Sequence, residues 1–370
     1  MGVVSFLAPH IKKLSKNYNV SVWTNTEKED MPIDLGKNVI VENVAISRKI
    51  DFKKDLIVLF HLFKKMKCSN FTVVHTLSPK VGLLGMIVAS FLNIPIRIHS
   101  FTGQVWANKS GIFRWFLKLI DKLIAFLTTN VLVDSNSQFS FLINEGVISK
   151  KKSKVLGAGS ISGVDLNRFK KNVVSKTRLR SKLGTPSNSF VFLYVGRLNF
   201  EKGVLDLAEA FNRVCRNNKK CELWVVGPDE EKIFTKMKDI LGKNFNKVKR
   251  IEMTSKPQIY MQASDILCLP SYREGFGSSV IEAAACGVPS LVSRIYGLED
   301  AVIEGYTGWM HVVGDVDDLS KKMKKIMLNQ KEVLLRGNSA MKRTKELFCQ
   351  KKMTKLMEQL YKDLINEKDI

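Results

Sequence analysis

The chain has 370 residues, enough for two domains with separate cores, and its composition is that of an ordinary globular protein, 45% hydrophobic and 25% charged. Six scattered cysteines include no C-x-x-C pair, so neither a zinc site nor a disulfide framework is indicated, and a reducing cytoplasm is the simplest compartment. The net charge is +24, and residues 1–185 carry 29 Lys and Arg against 11 Asp and Glu, or +18, which leaves +6 for the remainder; such asymmetry suits an anionic substrate, an anionic membrane or nucleic acid, or else solvated lysines on a plain surface.

The first residues do not read as a signal peptide, and 2–16 read as a loop entering an amphipathic helix with Phe6, His10, Ile11 and Leu14 on one face. Strands follow at 20–24 and 38–44, a lysine-rimmed helix at 51–67, then a strand at 72–75, a helix at 80–92 and a strand at 94–99. The apolar run 81–96 is interrupted by Asn93 and Pro95 and is too short for a membrane span. A long apolar helix at 112–127 and a strand at 131–134 come next, then a short helix at 138–145 and a strand at 154–156. Alternating strands and helices predict a parallel, doubly wound sheet. A His at the carboxyl end of such a strand faces the ligand crevice, which makes His99 a candidate and His75 a weaker one. Helix 112–127 and the turn before it mix Trp106, Phe113, Trp115, Phe116 and Phe126 with Lys109, Arg114, Lys118 and Lys122. That mixture fits a membrane interface or a core helix with snorkelling lysines.

Residues 157–169 are a Gly- and Ser-rich break that misses the G-x-G-x-x-G spacing and reads as an interdomain connection, with 170–183 a basic helix or linker. The second half opens with the continuously apolar strand 190–195, of the kind buried on both faces. Gly196, Arg197 and Lys202 then sit in the strand-to-helix loop, where a fork-shaped and a compact cation suit a pyrophosphate. Helices at 204–214, 230–241 and 257–263 alternate with strands at 222–226 and 248–251. The apolar strand 266–269 leads into R-E-G-F-G-S-S-V-I-E-A-A-A-C-G-V-P, residues 273–289. There Gly275 and Gly277 allow close backbone approach, a helix opens near Ser278, and Glu274 and Glu282 lie eight residues apart. A strand at 290–293 and helices at 319–328, 331–347 and 353–365 complete the chain.

The combination of Glu274, Phe276, Gly277, Glu282, Ala283, Gly287 and Pro289 resembles the E-x7-E signature of the family-4 retaining glycosyltransferases. The resemblance implies the GT-B fold, two Rossmann-like doubly wound domains. The expected division is an acceptor domain at 1–160, a linker at 161–185, a donor domain at 186–345, and a last helix at 346–370 that returns to the first domain. In that family a first strand and a Gly-rich loop precede the first helix; here both are missing, and the given start is expected to lie inside a longer chain. The family's roles carry over as follows. Arg197 and Lys202, after Gly196, would hold the donor pyrophosphate. Glu274 would contact the donor sugar's hydroxyls, and the backbone at Phe276, Gly277 and Ser278 would approach sugar and phosphate. Glu282 would accept hydrogen bonds from the ribose. His99 would stand near the reacting centre as a second catalytic candidate beside Glu274. The stretch 75–85 resembles acceptor domains of bacterial polysaccharide enzymes, which makes His75 and Lys80 acceptor-side candidates.

The implied activity is hexosyl or N-acetylhexosaminyl transfer from a nucleoside diphosphate sugar, UDP-linked as a first expectation, to a lipid-linked saccharide of a capsule or O-antigen type polysaccharide. No cofactor and no metal are expected; Asp315-Val316-Asp317 has a D-x-D spacing but lies far beyond the donor loops. The expected location is the cytoplasm, peripheral on an anionic membrane at the inner face of the plasma membrane, with no nucleic-acid partner. The alternatives are an inactive or truncated scaffold of the same fold, a basic polyanion-binding protein, and a nucleotide-sugar epimerase on this fold.

Overall fold

The computed structural model describes residues 2–25, 34–36, 38–46, 51–216 and 220–368, with the backbone alone for residues 2–5. The chain divides into two compact units, residues 1–163 with 350–370 and residues 164–349.

The first unit runs α1 (Gly2–Leu14), β1 (Val20–Thr24), β2 (Val39–Asn43), α2 (Phe52–Ser69), β3 (Val73–Leu77), α3 (Pro79–Phe91), β4 (Ile96–Phe101), α4 (Gly111–Leu127), β5 (Asn130–Val133), α5 (Asn136–Asn144) and β6 (Ser153–Val155). All its strand pairs are parallel, but the single sheet expected from the alternation is divided. β1 pairs with β2, and β3-β4-β5-β6 form a separate sheet. The helices hold the two sheets in one unit. α1 packs Ala8 and Ile11 on Val39 of β2, while Phe6 and Leu7 reach the cluster around Ile96 and Ile98 of β4. On another side Val44 and Trp23 join Val58, Leu62 and Leu84 of α2 and α3. The chain's last helix, Gln350–Asn366, belongs to this unit through Met353, Met357, Leu360 and Leu364.

The second unit starts at Val164, so the stretch expected as a linker contributes a packed element. That element is α6 (Val173–Lys182), capped by Asn172, whose side chain accepts from the Ser175 amide. Its Arg180 is buried, with Nε on the Ala263 carbonyl at 2.8 Å and Nη2 on Asp265 at 2.7 Å. Then come β7 (Phe190–Val195), α7 (Val204–Arg216), β8 (Cys221–Val226), α8 (Ile233–Leu241), β9 (Val248–Ile251), α9 (Pro257–Ala263) and β10 (Ile266–Leu269). After these follow α10 (Ser278–Ala285), β11 (Ser290–Ser293), α11 (Leu298–Ala301), β12 (Gly308–His311), α12 (Val316–Leu328) and α13 (Gln330–Leu347), and the chain ends with α14, the helix Gln350–Asn366. The six strands form one parallel sheet of order β12-β11-β10-β7-β8-β9. β7, the first strand of the unit, thus lies between β8 on one side and β10 on the other, and the winding reverses there. Phe190 to Tyr194 are all buried, which accounts for a strand without polar alternation.

Two histidines of the first unit are buried and a third is half-buried: buried His10 bonds the Ile161 carbonyl, half-buried His75 bonds Tyr361 and Ser100, and buried His99 bonds Thr76. Burial pushes His10 down to about 4 and His75 and His99 down to about 3, so all three are neutral in the folded unit. The unfolded chain takes up these protons from about pH 6.5 downward while the folded unit does not, so stability present above that pH is lost as pH falls. Asp121, raised to about 6 by burial, and Glu282 of the second unit, raised to about 7, oppose this with two groups against three. The thermal midpoint followed by circular dichroism is expected to fall steadily from pH 6.5 to pH 4, and the slope to flatten in His99→Gln. A midpoint that is level or rising over that range contradicts the assignment.

Candidate functional site

Because the winding reverses between β7 and β10, the loops after these two strands leave the same end of the sheet side by side. In doubly wound sheets that position is where ligands bind. The loop after β7 carries Gly196, Arg197 and Lys202, and the loop after β10 carries Glu274 to Gly277. The two are fastened together. Lys202 Nζ lies 2.5 Å from Glu274 Oε1, and Ser271 Oγ donates to the same oxygen at 2.9 Å. The Tyr272 amide donates to the Glu201 carbonyl at 2.9 Å, and Arg273 holds the Glu201 carboxylate through Nε and Nη2 at 2.9 and 2.6 Å. Glu274 is therefore paired with Lys202 and not with its chain neighbour Arg273, which holds Glu201. Lys202 and Glu274 are both largely buried, with side chains 19% and 14% exposed, unlike a lysine and an acid on an open surface.

Gly203 makes this apposition possible. Its φ is +64°, in the left-handed region, and a Cβ there would stand 2.0 Å from the Pro270 carbonyl oxygen. Behind it, the buried Tyr194 donates its hydroxyl to the Arg197 carbonyl at 2.7 Å, and burial keeps that phenol well above its ordinary range. Arg197 is half exposed and meets Glu230 at 2.9 and 3.2 Å. Asn199 Nδ2 also reaches Glu230, at 3.3 Å. Tyr272 donates to Asp206 at 2.7 Å, and burial together with that carboxylate raises its phenol to about 12.

The start of α10 faces this loop pair in sequence. Gly277, at φ +80°, precedes the helix and has no side chain to cap it, so the amides of Ser278 and Ser279 are left for another acceptor. Phe276 is buried and meets Phe348 edge-on at 5.1 Å, so its ring is core and its backbone is what a ligand can approach. Glu282, one turn into α10, is half-buried, and its carboxylate has no hydrogen-bond partner among the described residues. Burial raises it to about 7, with Arg168 acting in the opposite direction. A desolvated carboxylate of this kind is an acceptor in want of donors.

The first-unit candidates are more enclosed. His99 is buried, its Nδ1 2.8 Å from Thr76 Oγ1, and Gly82 lies so close that a Cβ there would fall 2.4 Å from the ring. His75 uses both ring nitrogens, on Tyr361 of α14 and Ser100 of β4, each at 2.8 Å. Lys80, in the first turn of α3, pairs with Asp55 of α2 at 2.6 Å. Asp315 caps α12 by accepting from the Asp318 amide, and Asp317 pairs with Arg213.

Glu201, Glu230, Ser271 and Tyr194 escaped the sequence reading. Each acts through a partner 3 to 72 residues away, and only the strand order brings the long-range pairs together. The Gly227-Pro228 turn after β8 was the one sequence signal near Glu230.

A family model described as glycosyl transferases group 1 matches residues 175–343, which contain every residue of the loop pair. The capsular polysaccharide biosynthesis glycosyltransferase CapM of Staphylococcus aureus is 28% identical over 362 residues, 96% of this chain and 92% of that protein. The UDP-Gal:alpha-D-GlcNAc-diphosphoundecaprenol alpha-1,3-galactosyltransferase of Escherichia coli is 30% identical over 279 residues, 74% of this chain and 70% of that protein. Among solved structures, sucrose-phosphate synthase of Thermosynechococcus elongatus superposes with a TM-score of 0.83 at 20% identity, over 97% of this chain and 92% of that one. The fold is GT-B, with two Rossmann-like units.

Gly203→Ala tests the packing of the two loops without touching a charged group. The left-handed backbone alone costs about 1–2 kcal/mol for alanine, and the clash with Pro270 adds to it. A lower midpoint is expected, by roughly 2–4 °C for each kcal/mol in a unit of this size. An unchanged midpoint contradicts the close approach.

Proposed function

The chain belongs to the group 1 glycosyl transferases and is a glycosyltransferase; from that premise we propose that it moves a sugar from a UDP-sugar to a hydroxyl of a lipid-linked saccharide, with retention of configuration, in assembly of a surface polysaccharide. The observation that carries the donor side is the Lys202–Glu274 pair beside the uncapped start of α10. It places a cation, a sugar-facing carboxylate and free backbone amides within one loop cluster. A diphosphate takes the lysine and the amides, and the freed Glu274 accepts from the sugar's hydroxyls. Arg197 exchanges part of its pairing with Glu230 for a phosphate oxygen. As the oxygen of the acceptor hydroxyl bonds to the anomeric carbon and the bond from that carbon to the phosphate oxygen breaks, the hydroxyl proton passes to an oxygen of the departing diphosphate, and the negative charge growing there meets Lys202, Arg197 and the helix start. These groups supply the charge compensation, so transfer proceeds without a divalent metal or other cofactor.

Glu282 is the ribose-binding group in this reading, and its lack of a partner supports it. Retention comes from the family that the E-x7-E stretch resembles. The UDP base and the lipid-linked acceptor are supported by the E. coli relative, whose name specifies both, and the polysaccharide by the S. aureus one. Similarity to transferases along most of the chain favours this reading over an inactive scaffold or a polyanion binder. No described helix is long and apolar enough to cross a membrane, and a lipid-linked acceptor places the enzyme peripherally at the inner face of the plasma membrane. His99, His75 and Lys80 remain the acceptor-side candidates; their burial and pairing give them a part in shaping the first unit's strand ends.

Transfer from a UDP-sugar to membrane-extracted lipid-linked acceptors is expected to fall at least about 100-fold in Lys202→Ala and in Glu274→Ala, the scale of losing one preorganised charge-stabilising group. Unchanged turnover in both variants would sink the site assignment. Glu282 adds a pH signature. Ribose hydroxyls donate to the ionised carboxylate, so UDP affinity weakens as pH drops below about 7 and the group takes up a proton. Calorimetric titration across that range is expected to show this slope in the natural chain and a shallower one in Glu282→Gln, where the nucleotide's own titration alone remains. Equal slopes would remove Glu282 from the ribose.

A further inference from the structure

Helix α4 has two apolar sides. Ile124 and Ala125 are buried in the core of the first unit with Met86 of α3 and Val131 and Val133 of β5. On the opposite side Ile112, Phe116, Leu119, Leu123 and Phe126 recur at spacings of four, three, four and three, one stripe along the helix, with Trp115 beside it. All six are exposed, Ile112 by 84%, Trp115 by 62% and Phe126 by 79%. Burying such a stripe is favourable, and a monomer that leaves one open along a whole helix carries an interaction surface.

The charges around the stripe select what covers it. The acid of α4, Asp121, is buried and accepts from Trp106 Nε1 at 2.7 Å, so the helix shows no carboxylate to solvent. Lys122 is exposed beside the stripe. At the helix's C-terminal end Lys152 bonds the Ala125 and Thr128 carbonyls, and the exposed Lys150 and Lys151 directly precede it in the chain. Arg114 and Lys118 are spent on Glu145. An apolar strip with Trp at its side and unpaired lysines at its rim matches a bilayer whose headgroups are anionic. A second copy of the chain fits poorly. A twofold contact would set like against like, and each copy carries +24. In the same helical layer, α3 packs between α4 and α2, and α2 also turns Phe52, Leu56 and Phe60 outward.

We propose that the outer face of α4 is a membrane-docking surface, which lies in the headgroup region of an anionic bilayer with Trp115 as its interfacial anchor. The inference deepens the proposed lipid-linked acceptor and rests on that reading for its purpose, while the docking itself is measured apart from transfer. Trp115 is the most exposed of the five tryptophans, since Trp106, Trp224 and Trp309 are buried and Trp23 is half-buried. Its emission therefore reports insertion. With the full chain, phosphatidylcholine vesicles containing phosphatidylglycerol are expected to shift the emission to the blue and to carry the protein into the pellet. Pure phosphatidylcholine is expected to do neither. Trp115→Phe removes most of the shift and keeps most of the sedimentation. Phe116→Ser with Phe126→Ser lowers vesicle affinity by about tenfold or more, and each of Lys122→Ala, Lys150→Ala and Lys151→Ala by about fivefold at low salt. These positions are on the surface, and an unchanged circular dichroism spectrum checks the fold.

No binding to anionic vesicles, or binding that the Phe116/Phe126 pair does not alter, overturns the proposal. So does a dimer in lipid-free solution that those same substitutions dissociate, because the stripe then belongs to a second copy. Vesicle binding by a chain that transfers no sugar still upholds the docking surface, and the failure then belongs to the proposed acceptor. Loss of vesicle binding in a variant that still glycosylates a short, water-soluble acceptor supports it further.

Discussion

The second unit depends on where β7 sits. A strand that opens a unit and ends between β8 and β10 forces the chain to wind in opposite directions on its two sides. The loops that leave β7 and β10 then have nothing between them. Whatever those loops carry must be mutually compatible at close range, and here they carry a lysine and a glutamate at 2.5 Å with a left-handed glycine at the point of contact. Everything else at the site is support for that apposition: the Tyr194 hydroxyl beneath Arg197, the Ser271 hydroxyl on Glu274, the Glu201–Arg273 fork at the rim.

Charge balance at the site follows the same logic. Each cation proposed for the donor is neutralised in this structure by a carboxylate, Lys202 by Glu274 and Arg197 by Glu230. Exposed pairs are worth little and exchange readily, whereas a largely buried one holds its partner in place. Arg197 is therefore the adaptable cation, and Lys202 is held in position by Glu274 until, in the proposed reading, a diphosphate takes that carboxylate's place. Glu282 differs from both acids: burial raises it to about 7 against the opposing pull of Arg168.

Much of the second unit was legible in the sequence, for a physical reason. A parallel strand covered on both faces reads as an unbroken apolar run, and 190–195 and 266–269 are such runs. The loop glycines and the two glutamates eight apart then mark what lies at the strand ends. The partner of Glu274 was not legible, since pairing across 72 residues is decided by strand order and not by spacing. β12 and α11 were missed because four-residue elements give a periodicity too little length to register. In the first unit, the alternation predicted one sheet where there are two, because period alone does not say which strand pairs with which. For the same reason the periodicity of 112–127 could not tell a core face from an open one. α4 has both, and only the packing of Ile124 and Ala125 shows which side turns inward. His99 shows the converse, a strand-end position that suggested a crevice and a side chain that is enclosed.

The central claim is that the β7 and β10 loops form a donor site for a nucleoside diphosphate in the chain as it stands. The most direct measurement is a thermal-shift titration with UDP, GDP and ADP, each with and without magnesium. The account predicts a rise in midpoint with UDP, smaller or absent with the other two, and the same with magnesium as without. A chain that responds to none of the three, or that responds only when magnesium is present, contradicts it.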